Sequence, residues 1–349
     1  MGDIVDRVTR KNKLLETNRP LTISAQYGLI DQTDFFKKTV ASQDLSNYYL
    51  ILNGEFAYNK SYSSEYPWGA IKRLDLYDKG ALSSLYICFK PKDIIESDYL
   101  VHYFESTKWH QGVADVAGEG ARNHGLLNIA IPDYFNTIHY LPEIAEQRKI
   151  ADFLNLIEER IVIQNKVIEK YESLIKALCQ ILITSPNGTV CHIGDVLKIG
   201  SGKDHKHLNI GTIPVFGTGG YMLSVNDCLY EGESVCIGRK GTIDNPFFVD
   251  GKFWTVDTLF YTYDFNGVLP KFCYYLFRTI NWLQYNEASG VPSLSKSTIE
   301  RIQIRIPCMD EQAKAVQVLD GVEMEITCRR KLLNLYKSIK QYLISQLFI

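Results

Sequence analysis

The segment Leu141–Ile161, "LPEIAEQRKIADFLNLIEERI", is written a second time 165 positions on as "IPCMDEQAKAVQVLDGVEMEI", Ile306–Ile326. The copies align without a gap from Gly125/Gly290 to Ile183/Phe348. Identities fall at Pro142/Pro307, Glu146/Glu311, Gln147/Gln312, Lys149/Lys314, Leu154/Leu319, Ile161/Ile326, Tyr171/Tyr336, Ser173/Ser338, Leu178/Leu343 and Leu182/Leu347. A gapless match of this length marks an internal duplication. The chain is therefore expected to fold as two related halves.

After each proline, residues recur at alternating steps of four and three. The first copy gives Ile150, Leu154, Ile157, Ile161, Gln164, Ile168, Tyr171, Ile175, Leu178 and Leu182; the second gives Ala315, Leu319, Val322, Ile326, Arg329, Leu333, Tyr336, Lys340, Leu343 and Leu347. This is a heptad a/d seam. Gln164 and Arg329 put a polar residue at the same seam step in both copies. Such a residue either fixes register at a cost in stability or sits at a splayed edge in contact with water. Each helix has about 40 residues and spans roughly 60 Å at ~1.5 Å per residue. Two seams too exposed to stand alone most simply pair with one another.

Upstream of the helices the halves are related more faintly. "YLVHYFESTKW" (Tyr99 to Trp109) lies over "FCYYLFRTINW" (Phe272 to Trp282), and "LNGEFAY" (Leu52 to Tyr58) resembles "YEGESVC" (Tyr230 to Cys236). "IPVFGTGGYM", "ESVCIGRKGTID" and "FWTVDTLFYTY" are short β-branched and aromatic runs broken by turn residues, hence strands, and "PKFCYYLFRTINWL" reads as a helix. "SPNGT", Ser185 to Thr189, makes a linker. The expected class is α+β: a mixed domain over 1–142, a long helix over 143–184, a second mixed domain over 185–306 and a second long helix over 307–349.

With 38 basic and 40 acidic side chains the formal net charge is −2, too little to hold nucleic acid by bulk counterion release. A reader whose basic residues sit in a few loops stays possible. The eight cysteines form no C-x-x-C pair and no Cys/His cluster at zinc-ligand spacing, so no metal is expected and the thiols read as reduced core residues. "MGDIVDRVTRKNK" lacks a signal-peptide core, and no apolar run approaches the roughly 20 residues that cross a bilayer. A cytoplasmic protein without membrane contact is expected.

Catalytic signatures are lacking. "LKIGSGKD" would need Gly at Leu197 and Ser or Thr at Asp204 to be a phosphate loop, and "GTGG" lacks dinucleotide-fingerprint spacing. "DNPFF" misses the second proline of the stretch with which adenine methyltransferases hold a flipped base. No histidine pairs with a Cys or Ser nucleophile. The chain reads as a binder with no catalytic residue and no cofactor of its own.

"SGVPSLSKSTIERIQIRIPCMDEQ" (Ser289 to Gln312), "LPEIAEQRKIADFL", "GTIPVFGTGGYM" and "IGRKGTID" resemble the DNA specificity subunit of type I restriction-modification systems over nearly the whole chain. The resemblance implies two target recognition domains related by a pseudo-two-fold axis and separated by two long antiparallel coiled-coil helices. Each domain would read one half of a bipartite, asymmetric site in double-stranded DNA, and the helices would set the gap. It also implies two methyltransferase subunits docked on the helices and restriction subunits beyond them, those partners carrying S-adenosylmethionine, ATP and Mg. The alternatives are a helical adaptor that binds no DNA and a silent-cassette variant of the same family.

The candidate DNA contacts of the second domain are Lys203, His205, Lys206 and His207 in "GSGKDHKH" and Arg239 and Lys240 in "IGRKGT", basic residues on Gly-bounded loops that fit a groove. Thr218, Tyr221, Ser293, Ser295 and Lys296 are candidate phosphate contacts. In the first domain the candidates are Tyr58, Asn59 and Lys60, with Arg122 and Asn123 in the segment equivalent to "EASGVPSLS".

Overall fold

The computed structural model describes residues 1–24, 27–36, 41, 42, 44–118, 125–183 and 188–348. It divides into two compact units, Met1–Ile163 with Leu333–Ile349, and Gln164–Leu332. Each unit takes one globular region and part of both long helices, Ile144–Ile183 and Met309–Leu347. Pro142 and Pro307 bar helical backbone just before the two starts. Acidic first turns, Glu146 in one and Asp310 and Glu311 in the other, suit the positive end of the helix dipole.

The duplication extends to strand order. In the first unit an antiparallel sheet runs Val5–Arg7, Ile87–Pro91, Phe56–Asn59, Ala70–Arg73; in the second, Lys198–Ser201, Leu259–Tyr263, Ser234–Gly238, Phe247–Val249. A second sheet in each unit repeats one pattern, including one parallel pair: Pro20–Ser24 with Lys79–Leu82, and Ile210–Gly217 with Lys252–Thr255. The runs expected to be strands are strands, and the expected helix is Pro270–Thr279 with a short 3-10 turn after it.

Strand alternation sets the layers. Val235 and Ile237 face a core shared with helix Pro270–Thr279 and the long helices, while Cys236 between them joins Phe253 on the other side. Phe56 and Tyr58 do the same in the first unit, with Ala57 turned the other way. In both units the long helices run antiparallel as a wall of the domain core. Ile150, Leu154 and Ile344 belong to one core, and Ile175, Leu319 and Ile326 to the other. Ile161, Gln164, Ile168 and Leu333 are also buried, while Tyr171, Arg329 and Tyr336 are half-buried. The two polar seam residues differ in environment: the Gln164 Oε1 is buried with no partner among the described residues, whereas Arg329 pairs with Glu325 on its own helix at 2.6 Å.

Two expectations change. Cys308 and Cys328 are exposed rather than core thiols, since each falls on the outer face of the second long helix or just before it. Residues 185–187 of the expected linker lie outside the described residues, and Thr189 already opens strand Thr189–His192.

Candidate nucleic-acid interface

Arg239 and Lys240 follow directly on strand Ser234–Gly238, where the chain leaves the sheet. Gly241, at φ 97°, turns it in a conformation that side-chain-bearing residues rarely adopt. The turn is pinned from across: Leu294 N–H donates to Arg239 O at 2.9 Å, Gly241 N–H donates to Pro292 O at 2.8 Å, and Lys240 bridges Ser293. Arg239, Lys240, Ser293, Ser295 and Lys296 thereby line one open cavity of about 520 Å³. The Arg239 guanidinium lies over the Phe260 ring at 5.9 Å, and its Nη1 donates to Asp257 O at 3.4 Å. It is exposed yet steadied by cation–π contact, which leaves further donors of the guanidinium fork for a ligand.

Segment 254–260 supports the neighbouring loops as well. Lys203 N–H donates to Thr255 O at 2.9 Å, Trp254 Nε1 donates to Lys203 O at 2.8 Å, and the His207 ring meets Trp254 edge-on at 5.7 Å. Lys203 and Lys206 stay exposed, and the His205 Nδ1 is buried without a partner among the described residues. The hairpin tip Gly217–Gly220 arrives beside them. A methyl group on Gly241 would lie 3.6 Å from Thr218 Oγ1, and Tyr221 on the returning strand is exposed with its hydroxyl 3.1 Å from Ser224. Three loops of predicted residues thus gather round one segment, although only the 239–240 and 293–296 residues line the cavity.

Ser295 has a different task from the phosphate contact expected of it. Its Oγ accepts from Thr298 N–H at 3.2 Å as the N-cap of helix Lys296–Glu300 and donates to Glu287 at 2.7 Å, so its donor is spent inside the protein. Glu287, which lines the same cavity, was not singled out by sequence. No motif marks an acid in "NEASG"; only its place opposite the Arg239 turn does.

The first unit repeats this turn. Leu127 N–H donates to Lys60 O at 2.9 Å, and Tyr62 N–H to Gly125 O at 3.0 Å, the pairings of Arg239 and Gly241 in the other half. Lys60 therefore occupies the position of Arg239, with its Nζ donating to Ile129 O at 3.3 Å. Asn59 is half-buried and accepts from Ser61 N–H at 3.0 Å. Tyr58 is a correction: it is 0% exposed, stacks on Tyr134 at 5.1 Å and donates its hydroxyl to Trp68 O at 2.8 Å. Period-two alternation puts it on the core side with Phe56, so it is unavailable to a ligand. Arg122 and Asn123 lie outside the described residues. Among the described residues no group of three metal-ligating side chains occurs, and no helix is long and apolar enough to cross a membrane.

Two long helices, duplicated mixed domains and loop-borne cations are the features to set beside known proteins. Residues 187–335 match the family model described as type I restriction modification DNA specificity domain. The chain is similar to the type I restriction enzyme EcoprrI specificity subunit of Escherichia coli, 22% identical over 136 residues, 37% of this chain and 34% of that protein. It is also similar to the putative type I restriction enzyme specificity subunit S.HindORF215P of Haemophilus influenzae, 24% identical over 116 residues, 32% and 30% of the two chains. The aligned stretches thus span about a third of each curated relative. Among solved structures, the type I restriction-modification S subunit from M. genitalium superposes with TM-score 0.62 and 16% identity over 100% of this chain and 94% of that one. A chain from a structure of type I R-M complex assembly and conformational transition gives 0.60 at 14% identity, covering 99% and 96%. The chain is thus similar to specificity subunits of type I restriction-modification systems, by a family-model match confined to residues 187–335 and by a fold shared over nearly its whole length.

Proposed function

We propose that this chain is the sequence-reading, non-catalytic subunit of a DNA methyltransferase and restriction complex. Regions 1–142 and 185–306 each read one half of a bipartite asymmetric site, and the helical regions 143–184 and 307–349 set the gap and dock methyltransferase subunits. S-adenosylmethionine, ATP and Mg belong to those partners and to the restriction subunits, in the cytoplasm. The observation that carries this reading is the convergence of Arg239, Lys240 and Lys296 on one open cavity of the second unit, on a turn that recurs around Lys60 in the first. Cations on loop tips that leave a rigid sheet suit groove entry, and a guanidinium suits guanine O6 and N7. Docking on the helices is supported by apolar residues left exposed along them, among them Phe153, Leu156, Met324, Leu335 and Tyr342.

The test is Arg239→Ala, assayed by methylation mapping and duplex binding. Specific affinity is expected to fall by about 1 to 3 kcal/mol, with one position of one half-site relaxed and the other half-site unchanged. An unaltered motif and affinity would sink the assignment.

A further inference from the structure

The Arg239 cavity holds a carboxylate for which a phosphate backbone has no use. Glu287 lines it together with Arg239, Lys240 and Lys296, yet it forms no ion pair within 4 Å among the described residues. Its Oε1 instead accepts from the hydroxyls of Thr298 and Ser295, the latter at 2.7 Å, and these bonds hold the carboxyl below its usual range. The Ser295 backbone N–H acts on the carboxyl as well, and the side-chain hydrogen bonds reach Oε1 alone. The backbone beneath is fixed as well: Glu287 N–H donates to Ser293 O at 3.0 Å, and Asn286 Oδ1 accepts from Ala288 N–H at 3.1 Å and Ser293 N–H at 2.9 Å. Glu287 is therefore an exposed, ionised and oriented acceptor whose Oε2 lies outside those side-chain bonds.

On a DNA-facing surface such a group is repelled by phosphate and rewarded only by amino hydrogens on base edges. In the major groove cytosine presents its 4-amino donor alone. The amino group of adenine sits beside the acceptor N7, while guanine and thymine present acceptors. We propose that Glu287 is a specificity-determining residue that reads the 4-amino group of a cytosine in the half-site bound by the second unit, beside the base contact of Arg239. The proposal rests on the reading of this cavity as a base-recognition surface.

A role in holding the loop makes a different prediction from a role in reading. The two hydroxyl bonds that hold the loop use Oε1 alone, and the amide oxygen of glutamine accepts the same two bonds. Glu287→Gln therefore preserves the loop and turns the other acceptor into a donor. The experiment enriches duplexes from a randomised library with the full chain, together with any methyltransferase subunit that co-purifies, for wild type, Glu287→Gln and Arg239→Ala, with Tm measured alongside. The wild type is expected to select cytosine at one position. Glu287→Gln is expected to lose that preference by roughly 5- to 100-fold in favour of a base with an acceptor, at unchanged Tm and with the other positions kept. A Glu287→Gln motif identical to wild type overturns the proposal. So does a lowered Tm with the whole half-motif lost, which assigns Glu287 to holding the loop. A wild-type chain that enriches no sequence overturns the DNA-reading assignment itself, independently of either variant.

Discussion

Gln147 and Gln312, two of the repeated identities, are 3% and 0% exposed and perform one task twice. Gln312 Nε2 donates to Pro307 O at 2.9 Å, and its Oε1 accepts from Leu269 N–H at 2.8 Å, the residue capping helix Pro270–Thr279. Gln147 Nε2 donates to Pro142 O at 2.8 Å, and its Oε1 accepts from Glu96 N–H at 2.9 Å, the residue capping Ser97–Tyr103. One side chain closes the turn into the long helix and satisfies the open end of a domain helix. The proline and glutamine of "LPEIAEQ" were visible as conserved between the halves. Their purpose was not, because the partner residues lie far upstream in a segment where the halves barely resemble each other. Gln312→Ala leaves buried donors and acceptors unpaired and is expected to cost about 2 to 3 kcal/mol in chemical denaturation, whereas an exposed change such as Lys314→Ala should stay within about 0.5 kcal/mol. Equal effects of the two would refute the pairing.

Each domain helix docks on its own stretch of long helix through one set of positions carrying different chemistry. In the first unit Asn155 Nδ2 donates to Asp98 at 3.0 Å and its Oδ1 meets His102 Nε2 at 2.8 Å, while Lys340 bridges Glu105 at 2.8 Å and Glu158 at 2.7 Å. In the second unit the equivalent residues are Lys271, Tyr275 and Arg278 against Asp320 and Glu323. Lys271 lies 3.5 Å from Asp320, the Tyr275 hydroxyl donates to Asp320 at 2.5 Å, and Arg278 pairs with Glu323. Glu105 thus answers to Arg278, and the slot of Lys340 is filled by apolar Ile175, which borders the same cavity as Arg278 and Glu323. A lysine between two acids in one half has become a direct arginine–glutamate pair in the other. The heptad pattern placed only Lys340 and Ile175 of these residues on the seam, at the same step of the two copies. The exchange of signs became legible only once the helices were paired with their domains. Arg278→Glu is expected to destabilise the second unit by about 1 to 3 kcal/mol, discounted for the partial exposure of the pair. Adding Ile175→Lys rebuilds the arrangement of the first unit. A double-mutant cycle should then give a favourable coupling of at least about 1 kcal/mol, and a coupling near zero would show that the positions are not equivalent.

At the scale of the whole chain the duplication and the two long helices were legible, because a gapless repeat and a heptad survive divergence of everything else. The matching strand order was not, since strands of two to eight residues with unrelated side chains carry no alignable signal. Divergence also gives the units different responses to acid. In the first unit burial raises the carboxyl pKa of Glu105, but its contact with His102 and the ammonium of Lys340 outweigh that and hold it near 2. Burial lowers the imidazole of His139 to about 4, between the Tyr103 and Thr137 hydroxyls at 2.8 Å each. Both folded values lie below the unfolded ones, so the unfolded state takes up protons first and stability falls as pH falls. The His139 contribution is lost from about pH 6.5 down to 4, and that of Glu105 from about 4.5 down to 2. In the second unit the lowered carboxyl of Glu287 stands in solvent and adds little. Hydrogen exchange followed from pH 7 to pH 4 should therefore show the opening free energy of peptides over 99–105 and 134–139 falling by about 2 kcal/mol, after correction for intrinsic rates. Peptides over 234–238 and 270–279 should change much less, and His139→Gln should remove most of the slope between pH 6.5 and 4 while leaving the loss that sets in below pH 4.5. A parallel decline in both units, or a slope untouched by His139→Gln, would rule out this account.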